Sequence, residues 1–291
     1  MTAYPQKQVK RLEYTLYGIM LGALFLIYFG NRLVLSLVGR FTRQTKNTKI
    51  ITNSRRYDSR IYGVDNLRFE DLPEGNVWRQ MAAAVPENAV VLDVGCSTGH
   101  LGRMLVDSRH CTVDGIEIDP DAAAIAAQSY RQVFAGDLSD GDFHNHIPLG
   151  AYDVALYMDV LEHLAEPGSL INQLERNLKG SGFALASIPN VANWQVRFEL
   201  MRGRFEYTDL GTGIMDQSHL RFFTLSTLKG LFEQSGYQVD WIAASFPNWH
   251  PLFEPLRFLP RSEDMRLRLL ELFPELLSRQ FLIRACPVWK A

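Results

Sequence analysis

Five apolar runs separated by helix-patterned stretches decide what this 291-residue chain can fold into. They are AVVLDVG (89–95), TVDGIEI (112–118), QVFAGD (132–137), YDVALYMD (152–159) and GFALASIP (182–189). Their hydrophobicity is continuous rather than alternating, which marks strands covered on both faces. Helical patterns fill the gaps at 100–108, 120–131 and 167–178, and a further helix at 72–84 precedes the first strand. Strand and helix in strict alternation require right-handed crossovers, so the prediction is an α/β fold with a doubly wound, mostly parallel sheet. Two later runs, YQVDWIAASF (237–246) and QFLIRACPV (280–288), follow a helix at 226–235 and bring the sheet to seven strands. With 47% apolar residues the chain has material for one large core plus an appendage.

The appendage is at the front. From 14 to 30 (YTLYGIMLGALFLIYFG) no residue is charged, and as a helix this stretch covers about 25 Å of hydrocarbon. Tyr14, Tyr17 and Tyr28 suit a membrane interface, and Arg32 separates the stretch from a second apolar run, LVLSLVG. Positions 1 to 60 carry eleven Lys and Arg against Glu13 and Asp58, whereas the whole chain has a formal charge of -2, so the body is acidic. A basic arm beside an apolar run fits an anionic lipid surface, and the acidic body excludes a general nucleic-acid binder. The expected organisation is an N-terminal hydrophobic helix acting as membrane anchor over 1–45, a basic linker over 46–70, and a catalytic domain over 71–291 on the cytoplasmic side, since more positive charge follows the span than precedes it. A cleaved signal peptide and a packed soluble helix are the competing readings of the same residues. Cys96, Cys111 and Cys286 lack C-x-x-C spacing, which excludes a disulfide framework and a zinc knuckle.

Chemistry concentrates after the first strand. Val91 to Gly102, VLDVGCSTGHLG, runs from a buried strand through a tight turn into a helix, where Gly95 and Gly99 give a ligand close access to the backbone and the helix start offers N–H donors. Gly95 to Gly99 also satisfies G-x-S-x-G, a nucleophile elbow with Ser97, but nothing strand-like in the body precedes it. A nicotinamide-binding loop would want a glycine at Ser97. Acids at successive strand ends separate these readings. Glu117 stands about twenty residues after the loop, where a carboxylate accepts ribose hydroxyls, Asp137 ends the third run and can accept an adenine amino group, and Asp93 orients the loop or meets an ammonium. Buried carboxylates are costly without partners, so three around one crevice point to a ligand rather than to three helix caps.

The series VLDVGCSTGHLG, GIEIDPD, AGDL and DVLEHLAEP resembles the motifs of class I S-adenosylmethionine-dependent methyltransferases, over roughly 71–287. The resemblance implies a Rossmann-like sheet, S-adenosyl-L-methionine as cofactor, and a binding set of Asp93, Gly95, Cys96, Gly99, Glu117, Ile118, Asp137, Leu138 and Asp159. Of these, Asp93, Gly95 and Gly99 would take the methionine end, Glu117 the ribose, and Asp137 with Leu138 the adenine. Ser97 replaces a glycine often found in the family's loop. SIPN (187–190) followed by DQSHLRFFTLSTLKGLFEQSGY (216–237) is similar to bacterial methyltransferases that accompany glycosyltransferases in surface-polysaccharide synthesis, which implies a glycan or lipid-linked sugar as acceptor. A quinone or phenol acceptor and a non-catalytic scaffold for glycosyltransferases are the alternatives.

Methyl transfer needs an acceptor lone pair in line with the sulfonium and, for a hydroxyl, a base. Asp159, Glu162 and His163 are expected on one face of the turn after the fourth strand, with His163 as the candidate base. The same residues with His219 form a hard-metal face for magnesium, manganese or zinc, similar to the E-x-x-E-H site of ubiquinone-pathway O-methyltransferases. The stretch 190–223 is too long for a connector and reads as an acceptor lid, in which Trp194 stacks and Arg202 and Arg204 clamp an anionic group. A second insert, 247–279, separates the last two strands.

Overall fold

The computed structural model describes residues 69–72, 76–138, 143–209, 213–245 and 272–288. The expected anchor over 1–45, the linker up to 68 and most of the insert over 247–279 lie outside the described residues. Among the described residues no helix is long and apolar enough to cross a membrane.

Seven strands form one sheet in the order β3-β2-β1-β4-β5-β7-β6. They are β1 (Val90–Val94), β2 (Thr112–Glu117), β3 (Gln132–Ala135), β4 (Tyr152–Met158), β5 (Leu178–Pro189), β6 (Tyr237–Ser245) and β7 (Gln280–Pro287). The first five pair in parallel, and the reversal of direction on either side of β1 opens a crevice above the carboxyl ends of β1 and β4. The final strand departs from simple extension of the sheet. β7 inserts between β5 and β6 and runs antiparallel to both.

Helices cover both faces: α1 (Val77–Ala84), α2 (His100–Arg109), α3 (Pro120–Ala126), α4 (Pro167–Glu175), α5 (Trp194–Met201), α6 (Leu225–Gln234) and the short α7 (Pro274–Leu277). Local chemistry sets their starts. Asp119 and Asn76 accept N–H groups of their first turns, Pro120 and Pro167 stand where a missing N–H costs nothing, and Thr224 makes a reciprocal box with Thr227. The helix expected over 120–131 ends at Ala126, and the remaining turns bring Tyr130 under the loop after β1. Two apolar layers result, one around Leu92, Tyr157, Ile171 and Phe232, the other around Met81, Val91, Leu105 and Leu156. The stretch 190–223 is tied at its neck, where Asn190 bridges to Phe223 and the Val191 N–H donates to the Phe223 carbonyl at 2.9 Å.

Candidate active site

The loop after β1 occupies the expected crevice. Gly95 (φ 70°), Ser97 (φ 50°) and Gly99 (φ 78°) are all left-handed, so the chain coils tightly before entering α2. The glycines also serve the packing of the loop. A Cβ on Gly95 would lie 2.7 Å from Val160 Cγ2 in the turn after β4, and one on Gly99 would lie 2.9 Å from both Ala126 Cβ and Tyr130 Cε1. On the side where each Cβ would stand the neighbour is protein, and the glycines draw the loop against it. The Thr98 hydroxyl is buried there without a hydrogen-bond partner, a polar atom available to a ligand.

Glu117 is half-buried at the end of β2 and braces the loop, accepting the Ser97 N–H at 2.7 Å and the Asp119 N–H at 2.9 Å. Each oxygen retains a lone pair, so bracing the loop and accepting ribose hydroxyls are compatible. Ile118, 63% exposed, presents an apolar side chain beside it. Asp137 and Leu138 follow β3, with Asp137 exposed. Of the three acids expected to be buried only Asp93 is; it is 3% exposed and accepts the Tyr130 hydroxyl at 2.5 Å. Burial pushes the Asp93 carboxyl up to about 7, the Tyr130 hydroxyl opposing and the Glu117 charge adding. Cys96 is buried beside it, and burial pushes its thiol up, which keeps it protonated.

The turn after β4 holds a second group. Asp159 is not on one face with Glu162 and His163. Its backbone is left-handed (φ 51°), and its oxygens accept from Ser187 Oγ at 2.9 Å and Gln280 Nε2 at 2.8 Å, tying β4 to β5 and β7. The positive φ breaks the helical spacing on which the expectation rested. Burial raises the Asp159 carboxyl, and those two donors oppose it.

Glu162, His163 and His219 do converge, with one ligand atom from each within 4.8 Å of the others. The Leu220 and Arg221 N–H groups donate to the Glu162 carbonyl and pin the lid's return strand over the turn. The Glu162 carboxylate is 1% exposed and neither oxygen has a hydrogen-bond partner; burial, with Asp159 nearby, raises it well above the usual carboxylate range. His163 Nδ1 faces the Ser218 carbonyl at 3.2 Å and His219 Nδ1 faces the Ile214 carbonyl at 3.0 Å. A carbonyl only accepts, so each Nδ1 carries the hydrogen and each Nε2 keeps its lone pair. Burial lowers both imidazoles, keeping them neutral. A buried carboxylate that accepts no hydrogen bond, with His219 Nε2 4.0 Å from its Oε1, fits a divalent metal together with the two imidazoles, and Asp159 stands outside that trio.

In the lid, Trp194 is half-buried in the first turn of α5. The arginine clamp is internally paired: Arg202 lies 2.9 Å from Glu199 with its guanidinium over the Phe198 ring, and Arg204 lies 3.8 Å from the same glutamate. The residues around them line an open cavity of about 330 Å³, where Val196, Leu200, Phe205, Tyr207, Ile214 and Met215 stand beside the charged Glu199, Arg204, Glu206 and Arg279. A file of rings connects its wall to the trio: Phe205 and Tyr207 lie 6.5 and 6.3 Å from Phe222, Phe222 lies 6.3 Å from His219, and His219 lies 4.8 Å from His163. The sequence reading missed Tyr130, Gln280, Phe222 and this cavity. The aromatic density of 194–223 was the one available signal for the last two.

Comparison with known proteins places these features in context. The family model described as a methyltransferase domain matches residues 73–241. The ubiquinone biosynthesis O-methyltransferase of Pseudomonas paraeruginosa is 31% identical over 109 residues, 34% of this chain and 44% of that protein. The 2-methyl-6-phytyl-1,4-hydroquinone methyltransferase of Synechocystis is 26% identical over 174 residues, 57% of this chain and 53% of that protein. The chain thus spans about half the length, or less, of these curated relatives. A SAM dependent methyltransferase from Archaeoglobus fulgidus superposes with a TM-score of 0.51 at 18% identity, covering 71% of this chain and 90% of that one. A chain from the complex of the Haloferax volcanii Trm112 methyltransferase activator with a methyltransferase gives 0.50 at 16% identity, covering 72% and 88%. At such identities these structures share the fold.

Proposed function

The chain belongs to the methyltransferase-domain family; from that premise we propose that it is an S-adenosylmethionine-dependent methyltransferase that methylates a hydroxyl oxygen of an amphipathic acceptor, first among them a phenol or quinol. The observation that carries this reading is the trio of Glu162, His163 and His219, two neutral imidazoles with Nε2 lone pairs beside a buried carboxylate that accepts no hydrogen bond. S-adenosylmethionine supplies a methyl group on a sulfonium, whose loss leaves a neutral thioether. The chain's own part is to hold the acceptor oxygen in line and, where no ion occupies the trio, to take its proton, for which His163 Nε2 is the fitted group. Glu162, His163 and His219 would hold a divalent ion, whose chemistry there is to acidify the hydroxyl and stabilise the oxyanion. The cavity's largely apolar lining and its ring file favour an aromatic or lipophilic acceptor over a polyanion, because Glu199 already pairs Arg202 and Arg204 and Glu206 adds negative charge beside Arg279. The printed names of the Pseudomonas and Synechocystis relatives point the same way.

The second reading is a hydroxyl of a glycan or lipid-linked sugar, with glycosyltransferases as partners. It rests on the exposed rings of Phe205 and Tyr207, suited to stacking on a sugar face, and on the DQSHLRFF segment. In both readings the apolar, basic N-terminal arm tethers the enzyme to a membrane with its catalytic domain on the cytoplasmic side. The deciding experiment incubates membrane extracts and full-length protein with methyl-labelled cofactor and identifies the labelled products by mass spectrometry. A labelled phenol or quinol supports the first reading and a labelled sugar the second. Cofactor binding without labelled product overturns both in favour of a scaffold. Turnover indifferent to EDTA and to added magnesium, manganese or zinc removes the metal and leaves His163 alone as base.

A further inference from the structure

Tyr130 belongs to no part of the motif series, yet three glycines converge on it. A Cβ on Gly99 at the start of α2 would lie 2.9 Å from its Cε1, one on Gly102 within α2 would lie 2.1 Å from its Cζ and Oη, and one on Gly115 of β2 would lie 2.9 Å from its Cδ2. The ring, 6% exposed, is thus the floor beneath the loop, and each glycine leaves room for it. Gly115 is the β2 neighbour of Asp93 in the β1–β2 ladder, so the ring crosses directly to that carboxylate.

The hydroxyl makes two hydrogen bonds of fixed sense. The Gly102 N–H donates to it at 3.1 Å, which satisfies one of the α2 donors that no helical carbonyl can reach. With that acceptor role filled, its single hydrogen goes to Asp93 Oδ2 at 2.5 Å. The direction suits a carboxylate. The groups that act on Asp93 are Tyr130 itself and Glu117 of β2, with the Cys96 thiol beside both. None is a cation, so among the described residues no counter-charge acts on Asp93, which stands under the loop that, on the proposed function, takes the cofactor's methionine end.

Resting on the proposed function, we propose that Tyr130 is a positioning residue for the cofactor: its hydroxyl, held by the Gly102 N–H, keeps Asp93 oriented and ionised beneath the loop, so that the ammonium of the methionine end of S-adenosylmethionine supplies the missing counter-charge. Burial alone pushes Asp93 towards neutrality near physiological pH, and the hydroxyl is the one group opposing it. A ring that merely packed would serve as well without its oxygen.

Tyr130→Phe keeps the ring and removes that oxygen. In calorimetric titrations of the full-length protein with S-adenosylmethionine between pH 5.5 and 8.5, it weakens binding about tenfold at pH 7, the size expected for a hydrogen bond to a charged group. It also moves the midpoint of the pH dependence upward by about one unit. In an Asp93→Asn background, where no charge remains to hold, the same substitution costs about twofold or less. Wild-type affinity and midpoint in Tyr130→Phe overturn the proposal, as does an equal loss in the Asp93→Asn background, which would mark the hydroxyl as packing only. If Tyr130→Phe melts too low to titrate, Asp93→Asn alone decides. The proposal requires weakened binding without pH dependence over this range, and a wild-type pH profile in that variant refutes it.

Discussion

Gly102 to alanine is a change that helix propensity favours and this structure forbids. In an ordinary helix interior the added methyl stabilises by about 1 kcal/mol. In α2 it would stand 2.1 Å from two atoms of Tyr130, so ring and helix must part by more than about an ångström to regain van der Waals contact. Overpacking of that kind costs about 1–3 kcal/mol. The movement also pulls the hydroxyl from the Gly102 N–H and from Asp93, and a buried carboxylate losing its donor costs about 1–3 kcal/mol more. The net expectation is destabilisation by about 1–5 kcal/mol, a fall in Tm of about 3–15 °C for a domain of this size. Gly230 is the internal control. It lies within α6, and an added Cβ there meets nothing within 4 Å, so Gly230→Ala is expected to stabilise by up to about 1 kcal/mol. Urea unfolding of both variants beside wild type, followed by near-ultraviolet circular dichroism, compares them at one temperature. A Gly102→Ala protein as stable as wild type, or two variants that move in the same direction, refutes the reasoning about the Tyr130 floor.

Three further outcomes follow from the same geometry. Methyl transfer should fall on the acid side with a midpoint below about pH 6.5, because burial lowers both His163 and His219 and protonation there removes the Nε2 lone pairs; a kcat profile with its acid midpoint above about pH 7 contradicts the assignment. Arg131→Ala should destabilise by about 2 kcal/mol and raise the pH of acid unfolding. Burial alone would raise Asp114, but hydrogen bonds from Arg131, Gln132 and Tyr152 hold it below its ordinary range, so its contribution is present above the unfolded carboxyl's pKa and disappears as pH falls through the folded one; unchanged acid unfolding measured by fluorescence counts against this. Arg204→Ala should change the acceptor KM by about twofold or less, since Glu199 already meets that guanidinium, and a rise beyond about tenfold restores the anionic clamp.

Much of this protein is written locally. Continuous apolar runs placed all seven strands within a few residues, because burial on both faces is a composition constraint that needs no knowledge of neighbours. Caps such as Asp119 and Thr224 act within one turn and are equally legible. The loop at Gly95 to Gly99 and the acids Asp93 and Glu117 were found because strand ends and spacing are one-dimensional. Tertiary structure decided the rest. The insertion of β7 between β5 and β6 is a choice among edges of similar apolarity, and it alone lets Gln280 reach Asp159. A single positive φ at Asp159 removed that residue from the face shared by Glu162 and His163, while chain return through the lid brought in His219, fifty-six positions further on than His163. Tyr130 lies thirty-seven residues from Asp93 and carries no motif. Hydrogen bonds and van der Waals contacts reach only a few ångströms, so which distant residues share them is settled when the layers pack, whereas periodicity and capping are settled by residues already adjacent in the chain.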